Sequence, residues 1–303
     1  MNGRSRKCEL KLAFFVLTEH GGYVIIKSKT AKEGIKMRYS NIHSHTAFSD
    51  GEHSVEENIK AAIAKGMISL GISDHCYTSF DTSYCIRASE LDAYKSEVRG
   101  LQKKYADQIE IYLGIELDGF AELRDRADYD YVIGDCHYVA TPDGYRAIDL
   151  SREAFGTLMR DYFDGDAVKL ARSYYASYAE CISKMRPDML GHIDLCTKYG
   201  LVDESDQRYI KAAREALAAS LEVCPFIELN TGAMSRGYRK EPYPAVFLLD
   251  EVKARGGSIV LSSDSHSADA LTYWFDEALG LLRSRGIKSI AVYKGGGFEE
   301  MGI

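Results

Sequence analysis

An α/β barrel assembled from seven strand-then-helix units is the architecture this 303-residue chain predicts, and three observations predict it. Short apolar runs alternate with helix-period stretches from residue 39 onward, the pattern of a parallel sheet with crossover helices. Histidines and carboxylates follow directly on those runs, and barrels of this kind gather their functional groups at the strand C-termini. The chain is 46% hydrophobic and long enough to bury one large core, so a single barrel accounts for it without a second domain.

Residues 1–36 differ from the rest: apolar runs 10–17 and 23–27, separated by Thr-Glu-His-Gly-Gly, read as an N-terminal β-hairpin extension. The first run is too short to span a membrane, and Glu9 and Lys11 break up any signal-peptide core. Met37 stands immediately before the first polar motif, which makes it an alternative start and places the boundary at 1–36 for the extension and 37–303 for the barrel. Strands are expected at 39–43, 68–72, 109–115, 131–133, 189–191, 226–229 and 258–261. Ser54-Val-Glu-Glu57 is a capping-box opening for a helix reaching about residue 65, and 89–105, 166–185, 206–221 and 244–255 have helical periodicity.

Composition narrows the function. The formal net charge is -7 and no basic block occurs, so a groove for a nucleic-acid backbone has no electrostatic support and small substrates are favoured. Nothing calls for a membrane either. The seven cysteines are scattered and never form Cys-x-x-Cys, which argues for reduced thiols in a cytoplasmic protein.

Six polar segments close the predicted strands: Asn41-Ile-His43-Ser-His45 with Asp50 behind it, Asp74-His75, Glu116-Leu-Asp118, Asp135-Cys-His137, His192-Ile-Asp194 and Asp264-Ser-His266. His43 and His45 lie two apart on an extended chain, so both face one side and can grip one metal. Imidazole with carboxylate suits divalent zinc, manganese or iron. Each of these residues alone has an ordinary explanation, a core histidine or a turn aspartate, but six convergent segments on one end of one fold point to a metal site. His20 and His53 lack that setting and read as solvated loop residues. Cys76 and Cys136 adjoin ligand-type histidines, yet strand neighbours face opposite ways, so both thiols belong to the packing layer.

With these motifs the chain resembles the polymerase-and-histidinol-phosphatase (PHP) superfamily over roughly residues 37–303, and within it the histidinol-phosphate phosphatases. The narrower likeness rests on Gly191-His-Ile-Asp-Leu-Cys-Thr-Lys-Tyr199, Ile227-Glu-Leu-Asn-Thr231, Arg236-Gly-Tyr-Arg-Lys-Glu-Pro-Tyr-Pro244 and Ser263-Asp-Ser-His266. The resemblance implies a distorted seven-stranded (β/α)7 barrel holding two to three divalent ions (Zn, Mn or Fe). It implies one ion on His43, His45, Glu116 and Asp264, a second on Glu116, His137 and His192, and a third on Asp50, His75 and His266, with Glu116 bridging. One departure is visible: the family often has aspartate where Asn41 stands.

The implied reaction is in-line attack of metal-activated water on a small phosphomonoester, L-histidinol phosphate above all, with another small phosphoester or phosphotyrosine as the alternative. Glu116 and Asp264 would serve the catalytic metals. Asp194 or a metal-bound water is the candidate proton donor to the leaving alkoxide, or else Asp194 orients His192. Arg236, Arg239 and Asn230, on the segment after the sixth strand, are the substrate-binding candidates, and Arg239 is the arginine expected on the phosphate. Some of the tyrosines beside the motifs, Tyr77, Tyr138, Tyr199, Tyr238 and Tyr243, could stack on an imidazole ring, and the others pack the rim. An amidohydrolase barrel also opens with His-x-His but needs a metal-bridging lysine near the fourth strand, and residues 131–141 contain none.

Overall fold

The structure is a computed structural model, and residues 14–17, 23–26 and 39–303 are described. Two separate units emerge, Met1–Arg38 and Tyr39–Ile303. In the first, β1 (Phe14–Leu17) and β2 (Tyr23–Ile26) pair antiparallel, Phe14 opposite Ile26 and Leu17 opposite Tyr23. Cys8, Met37 and the expected turn with His20 lie outside the described residues.

The second unit is α/β. Its strands are β3 (Ser40–Asn41), β4 (Ser69–Ile72), β5 (Glu110–Asp118), β6 (Tyr131–Asp135), β7 (Tyr138–Thr141), β8 (Gly144–Ala147), β9 (Met189–Leu190), β10 (Phe226–Asn230), β11 (Ser258–Ser262), β12 (Ser289–Lys294) and β13 (Gly297–Gly302). Its helices are α1 (Val55–Ala64), α2 (Leu91–Lys104), α3 (Arg152–Tyr162), α4 (Ala167–Met185), α5 (Gln207–Leu221), the single turn α6 (Gly232–Ser235), α7 (Val246–Ala254) and α8 (Phe275–Ser284). One sheet runs β13-β12-β11-β10-β9-β6-β5-β4-β3, parallel from β3 to β12, with β7 and β8 as a separate hairpin. The sheet curls: just past β3, Ser44 bridges Ser265 just past β11, with His45 N–H donating to the Ser265 carbonyl at 2.8 Å.

Local chemistry accounts for these elements. Ser54 and Glu57 make the capping box that starts α1, each side chain accepting from the other's backbone N–H. Asp166 and Asp206 cap α4 and α5, each side chain accepting from first-turn backbone N–H groups. The core has two layers. Ile59, Leu70, Tyr94 and Ile115 fill the space between α1, α2 and the sheet, while Ile42, Tyr131, Ile133, Met189 and Val260 pack inside the curl. Each fully buried aliphatic side chain contributes about 1.5–3 kcal/mol. Tyr131 occupies the interior because Gly71 and Gly114 make room: a Cβ at either position would lie 2.0 or 2.2 Å from its side-chain atoms. Its hydroxyl donates to the Ile42 carbonyl at 2.5 Å, one residue before His43, so the floor beneath the polar cluster is pinned.

All seven expected strands are present in order, but the sheet continues beyond them. β12 and β13 form a terminal hairpin whose turn uses Gly295 and Gly296 at φ 61° and 81°. β13 is not foreseen because its sequence, Gly-Phe-Glu-Glu-Met-Gly, has no fully buried position and no strict apolar-polar alternation. Unforeseen too were α3, α8 and the β7–β8 hairpin. Among the described residues no helix is long and apolar enough to cross a membrane, and the six described cysteines are free and buried.

Candidate metal centre

The polar segments converge because each lies at or just past the C-terminal end of its strand. His43 and His45 follow β3 on one face, while Ser44 between them points the other way and donates to the Gly71 carbonyl at 2.7 Å. His75 follows β4, Glu116 lies within β5, His137 follows β6, His192 follows β9, and Asp264 and His266 follow β11. Asp264 adopts φ 42°, a left-handed backbone rare for aspartate, and this conformation accompanies the turn of its carboxylate toward His45, at 3.1 Å from Nε2. Gly232 permits that turn, since a Cβ there would meet the Asp264 carboxylate at 2.8 Å.

Glu116 sits at the centre and is fully buried. Its Oε2 lies 3.4 Å from His43 Nε2, 3.5 Å from His45 Nε2 and 2.6 Å from His75 Nδ1. Its Oε1 lies 3.5 Å from His137 Nε2 and 3.2 Å from His192 Nε2. Asp50 completes the outer side, 3.7 Å from His75 and 3.2 Å from His266. Burial raises the Glu116 carboxyl, but the surrounding imidazoles, His75 and His43 foremost, outweigh it and hold the group well below the usual carboxylate range.

Glu116 Oε1, His43 Nε2 and both ring nitrogens of His45 are buried without any hydrogen-bond partner. Each such orphan costs about 1–3 kcal/mol unless something satisfies it. Orphaned ligand atoms on several residues of one buried cluster are what divalent cations would satisfy, and the donor set of imidazole and carboxylate suits zinc, manganese or iron. Donor groups within coordinating reach are His45, Asp50, His75 and His266; His43, His45 and Glu116; His75, Glu116 and His137; His43, Asp135 and Glu228; and Glu116, Asp135 and His192.

Carboxylates behind the imidazoles orient them. Glu228 Oε2 accepts from His43 Nδ1 at 2.8 Å, Asp135 faces His192 Nδ1 at 2.9 Å, and Asp118 faces His137 Nδ1 at 3.3 Å. Asp118 and Asp135 belong to segments already singled out. Glu228 lies in the Ile227–Thr231 segment of the family resemblance but is not among the expected site residues: nothing in Ile227-Glu-Leu-Asn230 shows locally that its side chain points at His43.

A cavity of about 260 Å³ opens over the cluster, lined by His75, His137, His192, Asp264 and His266 and by Arg236, Lys198, Asp81, Asp149, Tyr84 and Tyr138 among others. Arg236 donates to the Asp264 carboxylate at 3.0 Å and also contacts His266. Lys198 pairs with Asp149 at 3.1 Å.

Three sequence expectations need correction. Arg239, the arginine expected on the phosphate, does not line the cavity: it is committed to Thr197, to Glu204 at 3.1 Å and to the face of Tyr243. Arg236 does line the cavity. Asn230 is wholly buried and joins Glu228 to the Gly232 N–H, so it supports β10 and does not contact substrate space. Asp194 is also wholly buried outside the cavity lining, and its Oδ2 accepts from Ala245 N–H at 2.7 Å at the start of α7. Burial pushes its carboxyl up to about 6 against the pull of Arg239. It neither reaches a leaving group nor orients His192, whose partner is Asp135. Asn41 ties strand ends together, accepting from His43 N–H and donating to Ser263 Oγ at 2.7 Å. His53 caps the Ala268 N–H at 3.4 Å.

The PHP domain matches residues 41–232, more than half of the chain. This chain belongs to the PHP domain family. It is 28% identical over 246 residues to a Deinococcus radiodurans protein named as a probable histidinol-phosphatase, covering 77% of this chain and 88% of that one. It is 25% identical over 260 residues to the histidinol-phosphatase of Bacillus subtilis, covering 78% and 97%. Among solved structures, one from Listeria monocytogenes superposes with a TM-score of 0.68 at 22% identity over 78% of this chain and 98% of its own. The histidinol phosphate phosphatase of Lactococcus lactis, solved with zinc, L-histidinol and phosphate, superposes with a TM-score of 0.62 at 21% identity over 86% and 98%. These two structures share the fold over 78% and 86% of this chain.

Proposed function

We propose that this PHP protein is a metal-dependent phosphomonoesterase that hydrolyses L-histidinol phosphate to L-histidinol and phosphate. The observation that carries the reading is Glu116, a buried carboxylate whose two oxygens face two different sets of imidazoles. That geometry suits a bridge between two divalent ions, one held with His43, His45 and Asp264, the other with His137 and His192. Asp50, His75 and His266 would hold a third. Bound there, such ions supply Lewis acidity and lower the pKa of water at the site. We read the curled sheet as the distorted (β/α)7 barrel of the PHP type, with residues 1–36 as an appended hairpin unit.

The chain's own groups do the remaining work. Arg236, positioned against Asp264 at the cavity wall, is placed to donate to phosphate oxygens, and Lys198 adds positive charge nearby. Glu228, Asp135 and Asp118 hold three imidazoles with their outer nitrogens toward Glu116. The substrate assignment draws on relatives named for histidinol phosphate and on the Lactococcus complex with histidinol and phosphate. The buried thiols suit a reducing, cytoplasmic setting. Phosphate release from L-histidinol phosphate by metal-loaded protein, set against nucleoside monophosphates and phosphotyrosine, tests the reading. Faster turnover of either competitor would move the assignment to another small phosphoester.

A further inference from the structure

The carboxylates around the cavity are not equivalent. Asp50 and Asp264 belong to the metal-type cluster, and Asp149 is paired with Lys198. Asp81 remains. Among the described residues it lines the cavity without any cationic partner, and only neutral donors hold it: the Ser83 N–H at 3.2 Å, the Ser83 hydroxyl at 2.7 Å and the Tyr138 hydroxyl at 2.9 Å. Partial burial works against its charge, but these hydrogen bonds win and keep the carboxyl below its ordinary value, so Asp81 is an anion at neutral pH.

Its position is built. Tyr84 packs edge-on against His75 with ring centroids 4.8 Å apart, and Tyr138 lies 6.4 Å from Tyr84. Tyr138 in turn donates to Asp81 and packs against Phe80 at 4.9 Å. An aromatic wall therefore runs from the metal-type histidines to one fixed, uncompensated carboxylate. A generic phosphomonoester dianion entering this cavity meets that charge as a repulsion. An ester whose alcohol part carries a cation meets it as an ion pair, at a partly buried site where water screens the pair less than at an open surface.

We propose that Asp81, held by Tyr138 and Ser83, is the cation-recognition group of the cavity and selects phosphomonoesters whose leaving alcohol bears an ammonium. This deepens the histidinol phosphate reading and rests on the same site. Differential binding of the cation should appear in kcat/KM as discrimination between matched substrates.

The test compares two pairs on the metal-loaded enzyme: L-histidinol phosphate against 3-(imidazol-4-yl)propyl phosphate, which lacks only the amine, and O-phosphoethanolamine against ethyl phosphate. The expected result is a wild-type preference of about 10-fold or more for the amine-bearing member, which falls to about twofold in Asp81→Asn through a higher KM for that member alone. Calorimetric titration of L-histidinol into the same two proteins should show weaker binding in the variant. Tyr138→Phe, which frees the carboxylate but keeps the ring, should lose part of the preference. Asp149→Asn, which releases Lys198, should change both members of a pair alike. Failure to hydrolyse L-histidinol phosphate with a retained preference for O-phosphoethanolamine would overturn the substrate assignment and leave the role of Asp81 standing. Equal losses for both members in Asp81→Asn, or no amine preference in either wild-type pair, would overturn the role of Asp81.

Discussion

Replacing Glu228 by glutamine changes one atom behind His43, and the hydrogen bonds around that atom determine the consequence for the imidazole. The Gly232 N–H donates to Asn230 Oδ1 at 2.8 Å, which leaves the Asn230 amide nitrogen to donate to Glu228 Oε1 at 2.8 Å. The other Glu228 oxygen accepts from His43 Nδ1 at 2.8 Å. The backbone thus fixes the sense of the whole chain, keeps the imidazole proton on Nδ1 and leaves the Nε2 lone pair facing Glu116 and Asp264. A glutamine at 228 must keep its oxygen toward Asn230, so its NH2 faces His43. The imidazole can then avoid a donor-donor clash only by moving its proton to Nε2, the nitrogen that should bind metal.

Loss of such an outer partner typically weakens metal binding by about 10- to 100-fold, equivalent to about 1.4–2.8 kcal/mol. Competition against a calibrated chelator would measure it in Glu228→Gln, with a thermal melt confirming that the fold survives. Glu228→Gln combined with Asn230→Asp should recover most of the loss. In that pair the aspartate accepts from both the Gly232 N–H and the glutamine NH2, so the glutamine oxygen returns to His43. Metal affinity within about twofold of wild type in the single variant, or a double variant no better than the single, would refute this account of how the tautomer is fixed.

The same geometry sets other outcomes. Glu116→Gln should lower metal content and turnover together, since an amide gives no negative charge to offset two cations, and elemental analysis at wild-type occupancy with wild-type activity would exclude the bridge. Asp50→Asn should weaken only the set completed by His75 and His266; equal loss of all metal would point to one cooperative cluster. Arg236→Ala should lower kcat/KM by roughly 10- to 150-fold for every phosphate ester with metal content kept, whereas Arg239→Ala should mainly lower stability, by about 1–3 kcal/mol, as its bonds to Thr197 and Glu204 are lost. All six described cysteines are buried, and burial pushes the Cys224 thiol up to about 11 and the Cys76 thiol up to about 12; being inaccessible, all six should resist a disulfide reagent at about pH 8 until denaturant is added, and rapid native labelling at any of them would contradict their burial.

What the sequence made legible and what it hid divide along one physical line. The strand ends carrying His43, His45, His75, Glu116, His137, His192, Asp264 and His266 were readable because apolar run and polar terminus are adjacent in the chain, and because barrel strands deliver their C-termini to one face. Partnerships across the barrel were not. Glu228 meets His43 across 185 residues, and only the register of β10 beside β9 and β11 turns it inward. Gly191 looks like a spacer before His192, yet a Cβ there would lie 1.7 Å from the Asp135 carboxylate, so its smallness is what lets Asp135 reach His192.

Asp194 shows the converse error. Two residues past His192 on an extended strand it would share that histidine's face. But β9 ends at Leu190, and by Asp194 the backbone has left extended geometry for the 3-10 turn Leu195–Thr197, with φ -111° and ψ 32°. The carboxylate is swung away from the cavity and onto the Ala245 N–H at the entry to α7. The two arginines divide in the same manner. Backbone pairing of Asn230 with Tyr243 folds residues 231–242 back as one loop, and within it Arg236 closes on Asp264 and His266 while Arg239 docks on Tyr243 and Glu204. Three residues of separation on a loop carry no periodicity from which to choose between them. The choice is made by where the neighbouring segments put their carboxylates, Asp264 after β11 for one arginine and Glu204 ahead of α5 for the other.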